Sequence, residues 1–229
     1  MQYETNHDKK LGGIMYKKIY SLFLIVSLLL IFCMGCTSQA NQRKLVINKL
    51  SEIAKMEQKF QKAGEKIQKL EIKELEYYEK IYLYKINEVN KRQESAKLAI
   101  NLLNERKEGV KEESKLIHDI DIKIEELQTI NIETKDEKFR NEVNNFIKTW
   151  RDRTNLYDKL NSKYKEAIET DLSIYQLLSQ KKVDLKNVKS KTKNTNKNYK
   201  DVIKYNDQLN LYTQKLNDLQ KDIYEKYGK

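Results

Sequence analysis

The chain has 229 residues, a formal charge of +11, 34% charged side chains and no proline. This composition excludes a protein embedded in membrane along its whole length and does not match a low-complexity or acidic tail. With only six glycines the chain also lacks the punctuation that the turns of a multi-strand fold require, so the predicted class is all-α. The excess of Lys, Asn, Ile and Tyr is of the kind an AT-rich genome produces, and it assigns no nucleic-acid partner by itself.

The N-terminal region is read first. Residues 19–35, "IYSLFLIVSLLLIFCMG", form an apolar run preceded by Lys17 and Lys18. The run is shorter than the roughly 20 residues of a membrane-spanning helix and ends in small and polar residues, as a secretory signal peptide does. An uncleaved anchor helix is the alternative, and it leaves the rest of the chain in the same compartment. Residues 1–14 sit oddly ahead of the signal. "KKLGGIM" at 9–15 is compatible with codons forming a ribosome-binding sequence, which would move the translation start to Met15.

Cys33 and Cys36 are the only cysteines, and His7 and His118 the only histidines. A C-x-x-C pair without further ligands does not make a zinc site, and no βαβ pattern surrounds it to suggest redox chemistry. The segment ending in Gly35-Cys36 instead resembles the lipobox of bacterial lipoproteins, although Cys33 and Met34 depart from the usual residues. That resemblance implies cleavage between Gly35 and Cys36 and a diacylglyceryl group on Cys36. Two acyl chains suffice for stable attachment to a bilayer. Residues 36–43 then read as a lipidated tether and 44–229 as the folded domain.

Heptad spacing begins at once in that domain. Ile53, Phe60, Ile67 and Ile81 form one line, and Met56, Ala63, Leu70, Tyr77 and Tyr84 its companion. Continuing this register would place Glu88, Lys91, Ser95 and Glu105 inside, so it must end. A new line of Val89, Ala96, Leu103, Val110, Ile117 and Ile124, joined by Ile100, Ile120 and Leu127, predicts a break near 84–88, with Gly109 as another candidate break. The polar stretch 129–138 separates the next pattern, Phe139, Phe146, Leu160, Ala167 and Ile174 with Val143, Trp150, Tyr157, Tyr164 and Leu178. Asp136 and Asp184 are the expected N-caps of the last two helices. The final lines are Val202, Leu209, Leu216 and Ile223 with Tyr205, Tyr212 and Leu219. Four helices of about 42 residues, each about 63 Å long, predict an elongated antiparallel up-and-down four-helix bundle. Three long helices, with 44–128 continuous, are the alternative.

No catalytic constellation is visible: there is no phosphate loop, nucleophile elbow or metal cluster, and no cofactor is expected. His118 beside Ile117 and Ile120 reads as a structural histidine at a helix flank. Glu112/Glu113 and Glu125/Glu126 diverge by about 100° on a helix and read as solvated faces. Charge is more informative. Residues 36–180 hold 28 basic and 26 acidic side chains, whereas 181–200 hold eight lysines and one acid. Lys181, Lys182, Lys186, Lys189, Lys191, Lys193, Lys197 and Lys200 are candidates for binding the phosphates of teichoic acids or of anionic lipids. A solvated, mobile loop is the bland reading of the same stretch. Most of the fifteen tyrosines fall on core lines, while Tyr82, Tyr175 and Tyr199 lie off them and are expected to be exposed.

Two segments carry a wider resemblance, "RTNLYDKLNSKYKEAIETDLSIYQLL" at 153–178 and "NKNYKDVIKYNDQLNLYTQKLNDL" at 196–219. Through Tyr157, Asp158, Tyr164, Ala167, Asp171, Tyr175, Asn206, Asn210, Tyr212 and Thr213 they resemble the YkyA-like family of cell-wall-binding lipoproteins of Gram-positive bacteria. The resemblance implies a helical-bundle lipoprotein on the outer face of the cytoplasmic membrane and brings no catalytic residues. The resulting expectation is a non-enzymatic, lipid-anchored protein that binds or spaces the cell envelope through anionic polymer or peptidoglycan. A surface adaptor that docks a protein partner or self-associates is the alternative.

Overall fold

A computed structural model describes residues 38–85 and 87–228. The signal segment, the Gly35–Cys36 cleavage site and the lipidation position lie outside them. Among the described residues there are four helices: α1 (Ser38–Leu83), α2 (Val89–Ile132), α3 (Glu137–Leu178) and α4 (Leu185–Tyr227). They form an up-and-down bundle, the first of the two predicted arrangements. The observed lengths of 46, 44, 42 and 43 residues follow from long runs of Lys, Glu, Leu and Gln uninterrupted by proline.

The breaks fall where polar chemistry supplies the ends. At 84–88 the Lys85 amide donates to the Glu88 carboxylate at 2.8 Å, and the Glu88 amide returns to the Lys85 carbonyl at 2.9 Å. Asp136 caps α3 by accepting from the Phe139 amide at 3.1 Å, and Asp184 caps α4 by accepting from the Asn187 amide at 3.0 Å. Two expectations fail. The tether expected over 36–43 is already helical from Ser38, because nothing in "SQANQR" breaks a helix. Gly109 is not a break: it lies inside α2 and is buried.

The described residues group into two compact units, and each helix contributes to both. Unit 1 consists of 64–109 and 163–204, with the α1–α2 and α3–α4 turns. Arg92 ties these turns by donating to the carbonyls of Leu178 at 3.1 Å and Gln180 at 2.8 Å, and Gln93 donates to that of Ser179 at 2.7 Å. Unit 2 includes the start of α1, the α2–α3 turn and the end of α4. There the Asn131 amide donates to the Arg140 carbonyl at 3.0 Å, and Arg43 pairs with Asp136 while lying over the rings of Phe139 and Tyr227.

Most positions of the apolar lines pack inside, with Ile53, Ile67, Leu103, Ile117, Ile124, Phe139, Val143 and Trp150 all almost fully buried, whereas Met56, Tyr77, Tyr84, Val89, Tyr205, Tyr212 and Leu219 on the same lines are only half-buried. Each almost fully buried side chain stabilises the fold by about 1.5–3 kcal/mol relative to exposure. Ile100, placed on the α2 core line, is only half-buried, and Ala99 takes the inner position. In unit 2 the core also contains charge. Arg153 lies over Phe60 and Trp150, at 5.4 and 4.9 Å, and donates to Glu57 at 2.9 Å. Glu113, expected on a solvated face, is buried and accepts from the Tyr157 hydroxyl at 3.1 Å. His118 stays half-exposed, 3.2 Å from an Asp121 carboxylate oxygen.

Gly109 lies where α2 packs tightly against Ile67 of α1 in unit 1. A Cβ built there would meet Ile67 Cγ1 at 3.0 Å. Alanine gains about 1 kcal/mol of helix propensity against a small displacement of Ile67 and is expected to be close to neutral. Leucine forces the two helices apart and should cost about 1–3 kcal/mol, a fall in Tm of several degrees. A thermal melt of Gly109→Leu that matches wild type would show that the helices are not in tight contact there.

Candidate functional site

The lysine-rich segment is not a loop. From Leu185 onward it is the first half of α4, so its residues have fixed angular positions around a helix. Lys186, Lys189, Lys193, Lys197, Lys200 and also Lys204, which lies beyond the stretch singled out by composition, are exposed. Lys191 is half-buried on another face, and Lys181 and Lys182 are exposed in the turn before α4. Among the described residues none of these lysines forms an ion pair, whereas Lys91, Lys107 and Lys163 of the same unit pair with Glu88, Glu169 and Glu166. The segment 181–204 holds nine lysines and two acids, Asp184 and Asp201. The first of these acids is occupied as the helix cap.

The inner face of the same segment is unusually polar. Its buried apolar residues are Val188, Tyr199 and Val202, with Thr195 between them. Such a face is a poor match for a purely apolar core and requires hydrogen-bonding partners. They come from α3: Asp171 accepts from the Thr195 hydroxyl at 2.8 Å and from the Tyr199 hydroxyl at 2.7 Å. Tyr199 was expected at the surface, as was Tyr175, and both are almost fully buried. Both are inside because a carboxylate needs their hydroxyls there. Tyr82 is exposed as expected.

Asp171 belongs to a larger buried cluster centred on Arg106, whose side chain is 1% exposed. The guanidinium pairs with Glu74 and, at 2.8 Å, with Glu71. It also donates to the hydroxyls of Tyr164 at 2.8 Å and Tyr199 at 3.3 Å and lies 5.2 Å from the Tyr164 ring centroid. Tyr164 in turn donates to Glu71, and Tyr175 donates to Glu74 at 2.6 Å. One cation therefore faces three carboxylates with four polar hydroxyls distributed among them. Burial pushes up the pKa values of Glu74 and Asp171, that of Asp171 to about 7, with Glu74 adding to the rise at Asp171. Burial likewise holds Tyr164 and Tyr199 in their protonated, donating form.

The arrangement is a helix clamped from within by a hydrogen-bonded charge cluster and presenting an unneutralised row of ammonium groups to solvent. It offers electrostatic binding. Among the described residues no three His, Cys, Asp or Glu side chains group in a way that suits a metal ion.

Fold and surface together define a helical-bundle protein with a cationic face on α4. The chain belongs to the YkyA family, described as "Putative cell-wall binding lipoprotein", which matches residues 41–226. Among solved structures it is similar to a conserved protein of unknown function from Staphylococcus aureus, with a TM-score of 0.70 and 18% identity, over 83% of this chain and 97% of that one. That likeness supports the bundle fold alone. No curated protein matches the sequence significantly.

Two measurements test the cluster. Arg106→Leu leaves Glu71 and Glu74 buried without their cation and should cost about 3–5 kcal/mol in urea unfolding of the detergent-solubilised full chain. Adding Glu74→Leu should return part of that loss, and no recovery would mean the two side chains are not coupled. The second measurement is pH dependence. The folded state keeps a proton on Asp171 up to about pH 7, whereas an unperturbed aspartate releases it near 3.8. Between about pH 4 and 7 the fold thus binds more protons than the unfolded chain, and its stability falls as pH rises. Glu52, Glu126 and Asp136 have lowered values and lose their contribution only below about pH 4.5, outside most of this window. Asp171→Asn should flatten the decline between pH 5 and 8, and a variant with the wild-type slope would assign the titration elsewhere.

Proposed function

We propose that this protein is a non-enzymatic, lipid-anchored binding protein of the bacterial cell envelope that holds anionic wall polymer. The observation that carries the reading is the row of exposed lysines on α4, none of them neutralised by a neighbouring carboxylate among the described residues. Lysine binds phosphate as a compact point charge and does not need the planar, bidentate geometry that arginine supplies. The family description supports envelope association and a lipoprotein anchor. In this reading Cys36 carries the diacylglyceryl group after cleavage at Gly35, and α1 begins two residues later on the outer face of the cytoplasmic membrane of a Gram-positive cell. The bundle spaces that polymer from the membrane without chemical change.

Cosedimentation of the detergent-solubilised full chain with purified walls tests this function. Binding should fall at least tenfold when phosphate polymer is stripped from the walls, and again at 0.5 M salt, where screening acts within a few ångströms. Undiminished binding to stripped walls at high salt would refute the electrostatic mechanism. For the anchor, intact mass should give a chain starting at Cys36 with a diacylglyceryl group, lost in Cys36→Ala. An unmodified chain retaining residues 15–35 would indicate an anchor helix.

A further inference from the structure

The spacing of the lysines says more than their number. Counted from Lys186, the exposed positions 189, 193, 197, 200 and 204 are offset by 3, 7, 11, 14 and 18 residues. At about 100° per residue these offsets fall within an arc of about 80°, so the six ammonium groups form one row. The row runs for about 27 Å along the axis, with a charge every 4.5–6 Å. Asp201 lies about 60° to one side, and Lys191 about 140° away from Lys186.

We propose that this row is a rail for a single linear phosphodiester polymer lying along α4, engaging about five consecutive phosphates. The inference rests on the wall-polymer reading above and specifies its ligand. A polyol-phosphate chain with six backbone bonds per repeat extends about 7 Å between phosphates, taking the advance of about 1.2 Å per bond seen in an extended polypeptide. Four such repeats cover the row, and lysine stems of several ångströms absorb the small mismatch in period. The flanks of the rail suit the hydroxyl-rich links between phosphates: Ser190 and Asn194 are exposed on one side, and Thr192 and Asn196 half-exposed on the other.

An anionic bilayer offers the same phosphate chemistry but fits less well. Helices that bind membrane surfaces bury an apolar face beside their lysines. Here Val188, Tyr199 and Val202 are committed to the interior of unit 1. A bilayer would thus meet only the ammonium groups, without the apolar insertion that normally accompanies them.

The test uses glycerol-phosphate oligomers of two to ten repeats, titrated into the detergent-solubilised full chain at low salt. Wild-type affinity should climb with length to about five phosphates and then level off. The plot of log affinity against log salt should have a slope of magnitude 3–4, taking about 0.7 per phosphate as for flexible single strands. Lys189→Gln/Lys193→Gln/Lys197→Gln should lose at least tenfold and reduce that slope by about two. The control Lys69→Gln/Lys73→Gln/Lys165→Gln removes three exposed charges from the same unit and should lose less than threefold. All six positions are exposed and glutamine is a good helix former, so unchanged circular dichroism is expected for both variants. Equal losses in the two variants, or affinity that rises steadily through ten repeats, would overturn the rail while leaving polymer binding intact. Equal, rail-dependent binding to phosphatidylglycerol vesicles would assign the row to lipid. Absence of binding at every length would overturn both the rail and the reading on which it rests.

Discussion

The Arg106 guanidinium is the constraint around which unit 1 is organised. A buried arginine keeps its charge, so the bundle has to bring compensating groups to it from every side. Glu71 and Glu74 come from α1, Tyr164 and Asp171 from α3, and Tyr199 from α4. Apolar heptads alone allow a long helix to slide by seven residues and still bury leucine and isoleucine. A guanidinium and its carboxylates do not allow it, because a seven-residue slip would leave charges in the core without partners. The cluster therefore sets the register of four helices whose apolar lines are nearly periodic. Gly109 fits the same picture, since it brings α2 close to Ile67 three residues from the arginine.

The cluster also accounts for a helix that the apolar pattern supports poorly. Residues 185–204 contain few large apolar side chains, and the inner face is held through Thr195 and Tyr199 on Asp171. Attaching the helix by hydroxyls and a carboxylate frees the other positions from packing duty. Those positions carry lysine. Mutual repulsion among six ammonium groups opposes helix formation, and like charges at i,i+4 spacing cost a few tenths of a kcal/mol each. Stability supplied from the inner side offsets that cost, which is the physical reason the row can exist as a straight element.

Four helices, their lengths, the breaks near 84–88 and within 129–138 and both aspartate caps were legible in the sequence, because heptad periodicity and cap chemistry are local signals. The charged cluster was not, although its trace is present. The line Ile53, Phe60, Ile67, Ile81 skips residue 74, and the lines of α3 skip 153 and 171. Those gaps hold Glu74, Arg153 and Asp171, all buried. On α2, Arg106 and Glu113 occupy the companion line with Ile120 and Leu127. A charged residue at a heptad core position points to a partner of opposite charge or a hydroxyl at core positions of facing helices. Which partner it takes depends on tertiary register, and a single helix does not contain that information. Tyr175 and Tyr199 were misplaced for the same reason: off the apolar lines, they are drawn inward by carboxylates that lie far away in sequence. The lysines failed in the opposite direction, since their composition was plain but their alignment emerges only once 185–204 is known to be helical.

The two faces of this part of α4 operate under different electrostatic conditions. Inside, water is excluded and salt screens little, so the state of Asp171 is governed by proton concentration and by the carboxylates and guanidinium around it. Outside, each ammonium is hydrated, so its attraction for phosphate is governed by ionic strength and by how many charges a ligand meets at once. Salt therefore acts on what the rail can hold, and pH acts on how firmly the helix beneath it is clamped. Because Thr195 and Tyr199 share a helix with the lysines, loss of the inner clamp would disturb the alignment on which simultaneous contact with several phosphates depends. Binding and stability are thus joined through the geometry of a single helix, with no need for the ligand to touch the buried cluster.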